Sequence, residues 1–125
     1  MEIFLYRLQL AGLWGKAYGQ TALDMNFAIA LDSSGNNYNV GLMRNSINNK
    51  SAMLKYNSSG AAQWRKSLQW ASSDSHGAAY AVSIDSSGNI VYGGYVGPIS
   101  GEYPGGLHKV NSSGDLQYSK KITDG

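Results

Sequence analysis

Short apolar stretches alternate with small polar clusters along the whole chain. The apolar stretches are rich in β-branched and aromatic residues, or alternate apolar with polar positions, as strands do. No stretch keeps a helical apolar period over several turns, so the pattern predicts an all-β chain. The predicted strands cover residues 3–8, 13–18, 26–31, 37–43, 51–56, 62–68, 78–84, 89–95, 106–110 and 116–122.

One polar cluster occurs four times, as DSSGN at 32–36 and 85–89, NSSGA at 57–61 and NSSGD at 111–115. Asp or Asn at the first position can accept hydrogen bonds from backbone N–H groups two residues on, and the Ser residues fit a type I turn. The Gly then takes the left-handed conformation that closes a short hairpin with a bulge. The predicted turn residues are Asp32, Gly35, Asn57, Gly60, Asp85, Gly88, Asn111 and Gly114.

These turns belong to a longer internal repeat. FAIALDSSGNNYNVG at 27–41 aligns with YAVSIDSSGNIVYGG at 80–94, and SAMLKYNSSGAAQWRKSL at 51–68 aligns with GGLHKVNSSGDLQYSKKI at 105–122. Residues 5–19 align loosely with the second pair, as a decayed copy. Each unit of about 53 residues therefore holds four antiparallel strands, which is the pattern of a β-propeller blade.

The run AVSIDSSGNIVYGGY, followed by GGLHKVNSSGDLQYSKK, resembles the bacterial and phage β-propeller repeats known as SBBP repeats. Those repeats read as an apolar strand, D-x-x-G-N, a YVxG strand and K-x-(D/N)-x-x-G-x-x-x-W-x-K. Residues 91–94 (VYGG) stand in the YVxG place, and residues 38–41 (YNVG) fit it less well. The resemblance covers about residues 26–125 and, more weakly, 3–19. It implies a propeller but no catalytic residue, because the shared positions are turns and core.

We therefore predict one domain over residues 1–125 with about two and a half blades, namely a half blade at 3–19 and blades at 26–68 and 78–122. A closed propeller needs at least about four blades, and one repeat cannot bury its faces alone. The chain is expected to be part of a longer propeller, to self-associate so that several copies close a ring, or to dock on a larger protein assembly. An open monomer would expose sheet faces and strand edges, so it is disfavoured.

Composition removes several function classes. Charged residues make up 14% of the chain and the formal net charge is +2, so no nucleic-acid or membrane partner is predicted. The absence of cysteine excludes disulfides and thiolate metal sites. The first residues are too briefly apolar for a signal-peptide core or a transmembrane segment. The compartment stays open, with a virion or cytoplasmic origin favoured, and no cofactor or metal is expected.

The predicted topology places the four SSG turns at one rim and the non-repeating connections at the other, where a ligand or partner would bind. Trp70 and Tyr103 fall in those connections and are candidates for a sugar or partner contact, because aromatic rings stack and anchor interfaces. Asp74 and His76 share a loop with two serines. Residues so close in sequence seldom form a Ser-His-Asp site, so a polar loop is favoured there.

Other polar and aromatic residues are interpreted as structural. Asp32 and Asp85 lack the alternating oxygen ligands of a calcium loop, so turn capping is favoured for both. His108 is expected to be a surface or edge residue of its strand rather than a metal ligand. Trp64 and Tyr118 share one repeat position, together with a Trp of the decayed copy. That recurrence favours packing between neighbouring blades over ligand stacking.

The sequence thus predicts a non-enzymatic β-propeller module that serves as a structural or interaction part. The resemblance to phage-encoded repeats makes a virion component, associated with the tail, the most specific form of this prediction. The alternative is a lectin-like propeller of several chains that binds glycans at blade junctions, although Trp70 and Tyr103 are not equivalent in the repeat. A hydrolase propeller would need repeated carboxylates facing a channel, and the sequence shows none of that kind, because the repeated Asp32 and Asp85 are interpreted as turn residues.

Overall fold

The computed structural model describes residues 2–7, 14–19, 24–44, 49–68, 76–97 and 105–122, and this part of the chain contains strands and turns but no helix. Every predicted strand is found, with its ends displaced by two residues at most. The strands are β1 (Glu2–Arg7), β2 (Trp14–Gly19), β3 (Asp24–Leu31), β4 (Asn37–Arg44), β5 (Asn49–Tyr56), β6 (Ala62–Leu68), β7 (His76–Ile84), β8 (Ile90–Gly97), β9 (Gly105–Val110) and β10 (Leu116–Ile122).

The strands form one hairpin and two four-stranded sheets. β1 pairs with β2. Strands β3 to β6 follow one another in order as the N-sheet, and β7 to β10 do the same as the C-sheet. Every neighbouring pair is antiparallel. The predicted all-β class is therefore confirmed, as two antiparallel meanders, and neither of these described sheets closes on itself.

Each sheet is bulged at the same repeat position. The register between β3 and β4 shifts at Phe27, and the register between β7 and β8 shifts at Tyr80. Gly41 and Gly94 lie beside these bulges, where a Cβ atom would overlap a backbone carbonyl group of the neighbouring strand. The bulge therefore requires glycine at this point of both repeats, because only a residue without Cβ lets the two backbones approach so closely.

The core lies between the two sheets. Strand β7 packs against β3, β4 and β5, so the sheets meet face to face. Since side chains alternate between faces along a strand, the register assigns each residue to one face. The packed face of the N-sheet carries Tyr38, Val40, Met53 and Trp64, and the packed face of the C-sheet carries Ala79, Val82, Ile84, Ile90, Tyr92 and Val110.

The opposite side of each sheet is its outer face. The outer face of the N-sheet carries Asn39, Gly41, Leu54, Tyr56 and Arg65. The outer face of the C-sheet carries Val91, Leu107, Lys109, Tyr118, Lys120 and Ile122. Within the described ranges, no helix is long and apolar enough to cross a membrane.

Candidate interaction surface

The four predicted turns share one geometry. In the first, Asp32 Oδ1 accepts hydrogen bonds from the N–H groups of Ser34 and Asn36, each at 2.9 Å. The glycine N–H donates back to the carbonyl of the first turn residue at 2.9–3.1 Å in all four turns. The glycine φ angles are +80° to +84°, which is the left-handed conformation. The side chains of the first residues are thus engaged in capping their own turns.

The pKa values of Asp32 and Asp85, the first residues of two of these turns, are lowered by different neighbours. At Asp32, burial pushes the pKa upward, but hydrogen bonds from Asn36, Ser34 and Tyr38 outweigh it and lower the pKa below its usual value. At Asp85, the hydrogen bond from Lys109 lowers the pKa to about 2, with help from the backbone of the same turn. The Lys109 Nζ atom lies 2.9 Å from Asp85 Oδ2. Both carboxylates are therefore ionised at neutral pH.

Three of the four turns contact a neighbouring turn or sheet. A Cβ atom built on Gly35 would lie 3.1 Å from Ser58 Cβ, so the first and second turns adjoin within the N-sheet. The carbonyl of Ser112 accepts hydrogen bonds from Lys55 Nζ at 2.9 Å and from Trp64 Nε1 at 3.2 Å. The last turn of the C-sheet is therefore anchored on the N-sheet by two donors.

The repeat position shared by Trp64 and Tyr118 is predicted to pack against a neighbouring repeat, and this prediction holds for Trp64 but is wrong for Tyr118. The half-buried ring of Trp64 lies against the core cluster, with its centroid 6.1 Å from that of Tyr38. Tyr118, which occupies the same position in the second repeat, is 44% exposed on the outer face of the C-sheet. One sequence position thus lies at a sheet junction in the first repeat and on an exposed surface in the second.

The repeats meet through non-equivalent faces. In the repeat alignment, Lys55 corresponds to Lys109, so the packed face of the N-sheet is equivalent to the outer face of the C-sheet. Leu54 corresponds to His108, so the outer face of the N-sheet is equivalent to the packed face of the C-sheet. The contact is therefore heterologous, because it joins two different surfaces of the repeat.

An aromatic row runs across the junction. The Phe27 and Tyr80 ring centroids are 4.8 Å apart, and those of Tyr80 and Tyr95 are 5.9 Å apart. Phe27 is 40% exposed and Tyr80 is 51% exposed. Both rings come from the bulged positions, because the bulge turns its extra residue out of the regular alternation.

The prediction that His108 is a surface or edge residue is wrong. His108 is 2% exposed on the packed face of the C-sheet, with its ring centroid 5.1 Å from that of Tyr92. Its Nδ1 atom is hydrogen-bonded to Ser119 Oγ at 2.8 Å. Burial lowers the pKa of His108 to about 4, so the ring is neutral at pH 7. The alternation that places it beside the buried Val110 was the signal that could have located it.

A cavity of about 140 Å³ lies on the outer face of the N-sheet. Its polar lining includes Asn26, whose Nδ2 donates to Asn39 Oδ1 at 3.0 Å, and Arg65, whose guanidinium contacts the sulfur of Met43. Leu54, Ala52 and Tyr56 supply apolar and aromatic lining. The sequence pattern did not single out these residues, because their convergence depends on how four strands align side by side.

Three of the four predicted ligand residues cannot be placed in the fold. Trp70, Asp74 and Tyr103 lie outside the described residues. His76 is described only as the first residue of β7, where it pairs with Gly97. Within the described ranges, no group of three or more His, Asp or Glu residues converges as a metal site would require. A comparison with known protein families gives no match, and neither does a comparison with curated protein sequences.

Proposed function

We propose that this chain is a non-enzymatic β-propeller module in which the N-sheet and the C-sheet are two blades. The module serves as a structural or interaction part of a larger assembly. The observation that carries this proposal is the heterologous contact, in which the packed face of one repeat lies on the non-equivalent face of the next. Repeat arrays are built this way, because each unit contacts its neighbours through two different surfaces.

The strand order supports the same proposal. Each sheet is a four-stranded antiparallel meander whose strands follow chain order, as in a propeller blade. A two-sheet sandwich also packs sheets face to face, but its members need not be copies that meet through opposite faces. The junction can be tested by nuclear Overhauser effects in solution. Cross-peaks between the Trp64 indole and residues 112–114, and between the Phe27 and Tyr80 rings, are expected, and their absence would contradict the stacked arrangement.

The most specific form of the proposal is a phage virion component associated with the tail. It rests on the resemblance of residues 26–125 to SBBP repeats and on the cysteine-free composition. Mass spectrometry of gradient-purified phage particles tests it. Peptides of this chain that co-purify with tail proteins after the particles are dissociated would support the proposal. Peptides found only in the host-cell fraction would contradict it.

A second candidate function is glycan binding, and the cavity on the outer face of the N-sheet favours it. The side-chain amides of Asn26 and Asn39 in its lining are the kind of hydrogen-bonding groups that sugars use. A glycan array tests this function directly. Binding that is lost in Asn39→Leu but kept in Ser83→Ala, which alters the C-sheet, would favour the lectin-like alternative. An array without signal would remove it.

A further inference from the structure

The outer face of the C-sheet is the counterpart of a face that is fully covered in the N-sheet. The repeat alignment pairs four residues of the packed N-sheet face with four of the outer C-sheet face, namely Tyr38 with Val91, Val40 with Gly93, Ser51 with Gly105 and Met53 with Leu107. The four N-sheet residues are at most 3% exposed, whereas all four C-sheet residues are only half-buried. One surface of the repeat is therefore covered in one copy and incompletely covered in the other.

The same C-sheet face exposes apolar side chains along its edge strand. Tyr118 and Ile122 of β10 are 44% and 59% exposed, and the register places both on the outer face together with Leu107. Tyr118 stands at the repeat position of Trp64, which packs against the other sheet. Exposed apolar side chains that are grouped on one face are typical of a protein-binding surface.

In the N-sheet, the element that covers this face is a strand of small residues. Strand β7 lies across β3, β4 and β5, and its Ala78 and Ala79 are at most 1% exposed. A Cβ atom on Gly77 would lie 3.2 Å from Ser51 Oγ, so β7 approaches the N-sheet closely. The C-sheet has Gly105 at the position of Ser51, and a Cβ atom there would meet nothing closer than 3.6 Å. The outer face of the C-sheet therefore has room for a strand in the same place.

The polar border of the covered face has a counterpart as well. Lys55 and Trp64 both donate to the carbonyl of Ser112, which lies in the last turn of the covering sheet. Lys109 and Tyr118 stand at the positions of these two donors in the C-sheet, and each carries a donor group of its own. The outer face of the C-sheet therefore offers two donors where a covering sheet would bring a turn carbonyl.

We infer that the outer face of the C-sheet binds a further four-stranded sheet of this repeat type, which a partner protein contributes. The first strand of the partner sheet carries small residues and lies across β7, β8 and β9, as β7 lies across β3, β4 and β5. The last turn of the partner sheet accepts hydrogen bonds from Lys109 and Tyr118. The inference rests on the proposed function, because it requires that the sheets stack as blades do.

A second copy of this chain does not supply the partner sheet. It would have to present the outer face of its N-sheet, because that face corresponds to the packed face of the C-sheet. Asn37, Ala52 and Tyr56 on the outer face of the N-sheet are at most 9% exposed, so that face is already covered. The occupant is therefore a sheet of the same type from another protein.

A chain with one added repeat tests whether the face accepts such a sheet. The C-sheet itself serves as the probe, because its packed face already covers the equivalent surface of the N-sheet. Residues 69–122 are repeated directly after residue 122, so the added sheet follows the C-sheet through the same connection that joins the N-sheet to the C-sheet. The parent chain has no cysteine, so cysteine pairs can be introduced for cross-linking with a short bismaleimide.

The test pair is Lys120→Cys in the original C-sheet with Ser112→Cys in the added sheet, because it repeats Lys66 and the turn at 111–115 of the internal junction. An intramolecular product is expected at a yield several-fold above that of the matched pair with Lys121→Cys. Lys121 is the next residue of β10, so its side chain points to the other side of the strand. All three positions are exposed, so the variants leave the core unchanged. Equal yields from the two pairs would overturn the inference.

An internal control separates failure of the inference from failure of the proposed function. The double variant Lys66→Cys, Ser112→Cys of the parent chain places the equivalent pair at the existing junction, where Lys66 adjoins the turn at 111–115. A product at the existing junction without one at the added sheet would overturn only the inference. Loss of the product at the existing junction would contradict the stacked sheets themselves. Both products together would support the inference.

The choice of partner is tested on the parent chain by light scattering. Tyr118→Glu places a charge on the outer face of the C-sheet at an exposed position, so it leaves the core unchanged. Equal molar masses of the parent and the variant are expected, because no second copy covers this face. A larger mass for the parent would assign the face to a second copy and overturn the choice of partner.

Discussion

The Phe27 ring lies against the Tyr80 ring with 4.8 Å between the centroids, and both residues occupy the bulged position of their repeat. Equivalent residues of two repeats thus meet at a junction whose other contacts join non-equivalent positions. The bulge makes this possible, because it directs its extra side chain toward the edge of the junction rather than into either face.

The aromatic pair should contribute a measurable coupling energy. Aromatic pairs at such distances are worth about 0.5–1.5 kcal/mol beyond the area that they bury. A double-mutant cycle with Phe27→Leu and Tyr80→Leu, followed by urea unfolding, is expected to give a coupling in that range. The same cycle with Phe27→Leu and Tyr118→Leu serves as the control and should be additive within about 0.5 kcal/mol. Additive effects of Phe27 and Tyr80 would contradict the contact.

Gly94→Ala should destabilise the chain strongly. The new Cβ atom would overlap the carbonyl group of Ala78, so the bulge would have to open, at a cost of roughly 3 kcal/mol. Gly105→Ala is the matched control in the same sheet, because its Cβ atom would meet the side chain of Ile122 at an ordinary 3.6 Å. We expect the control to change the free energy of unfolding by less than about 1 kcal/mol. Similar melting temperatures for the two variants would contradict the close approach at Gly94.

His108 should make stability depend on pH in the acid range. Burial depresses its pKa from 6.5 to about 4, so the unfolded chain binds a proton more readily than the folded one. Its contribution is complete above pH 6.5 and falls as the pH is lowered toward 4, by roughly 3 kcal/mol in total. Denaturant unfolding from pH 8 to pH 4 measures this loss.

The variant His108→Leu separates the contribution of the histidine to the pH dependence of stability from that of carboxylates that titrate in the same pH range. Leucine is the residue at the equivalent position 54, so the replacement has a precedent in the other repeat. The variant should lose less stability than the parent between pH 6.5 and pH 4. Parallel pH profiles for the two proteins would show that His108 is not buried in its neutral form.

Trp64→Phe should weaken the junction between the sheets. The replacement removes the Nε1 donor to the Ser112 carbonyl and part of the ring that packs on the core, which together cost about 1–2 kcal/mol. Tyr118→Phe alters the equivalent position on the exposed outer face and should stay within about 0.5 kcal/mol of the parent. Thermal unfolding of both variants provides the measurement, and equal effects would contradict the different environments of these two residues.

Strands and turns could be predicted from the sequence because both depend on residues that are close in sequence. The four turns depend on an Asp or Asn at the first position and a Gly at the fourth, and both requirements are met within five residues. Strand bounds followed from the apolar stretches between turns. Recurrence in the repeat predicted packing for Trp64 and Tyr118 alike, but only Trp64 packs against the other sheet.

The burial of His108 and the cavity around Asn39 were not predicted, because both depend on contacts distant in sequence. The burial of His108 depends on which face of the C-sheet is covered, and the alternation along β9 does not contain that information. The cavity needs Asn26, Asn39 and Arg65 to converge from three strands, and their register includes a bulge that shifts one side by a residue. Local periodicity carries no information about such a shift.

The two equivalent lysines differ in their acceptors, and this difference has a consequence for ionic strength. Lys55 donates to the neutral carbonyl of Ser112, while Lys109 pairs with the charged Asp85 at 2.9 Å on the surface. Salt screens exposed ion pairs but acts little on a hydrogen bond to a carbonyl or on apolar packing. High salt should therefore weaken the ion pair between Lys109 and Asp85 but leave the hydrogen bond from Lys55 to Ser112 in place. The junction between the sheets should stay intact under the same change of buffer.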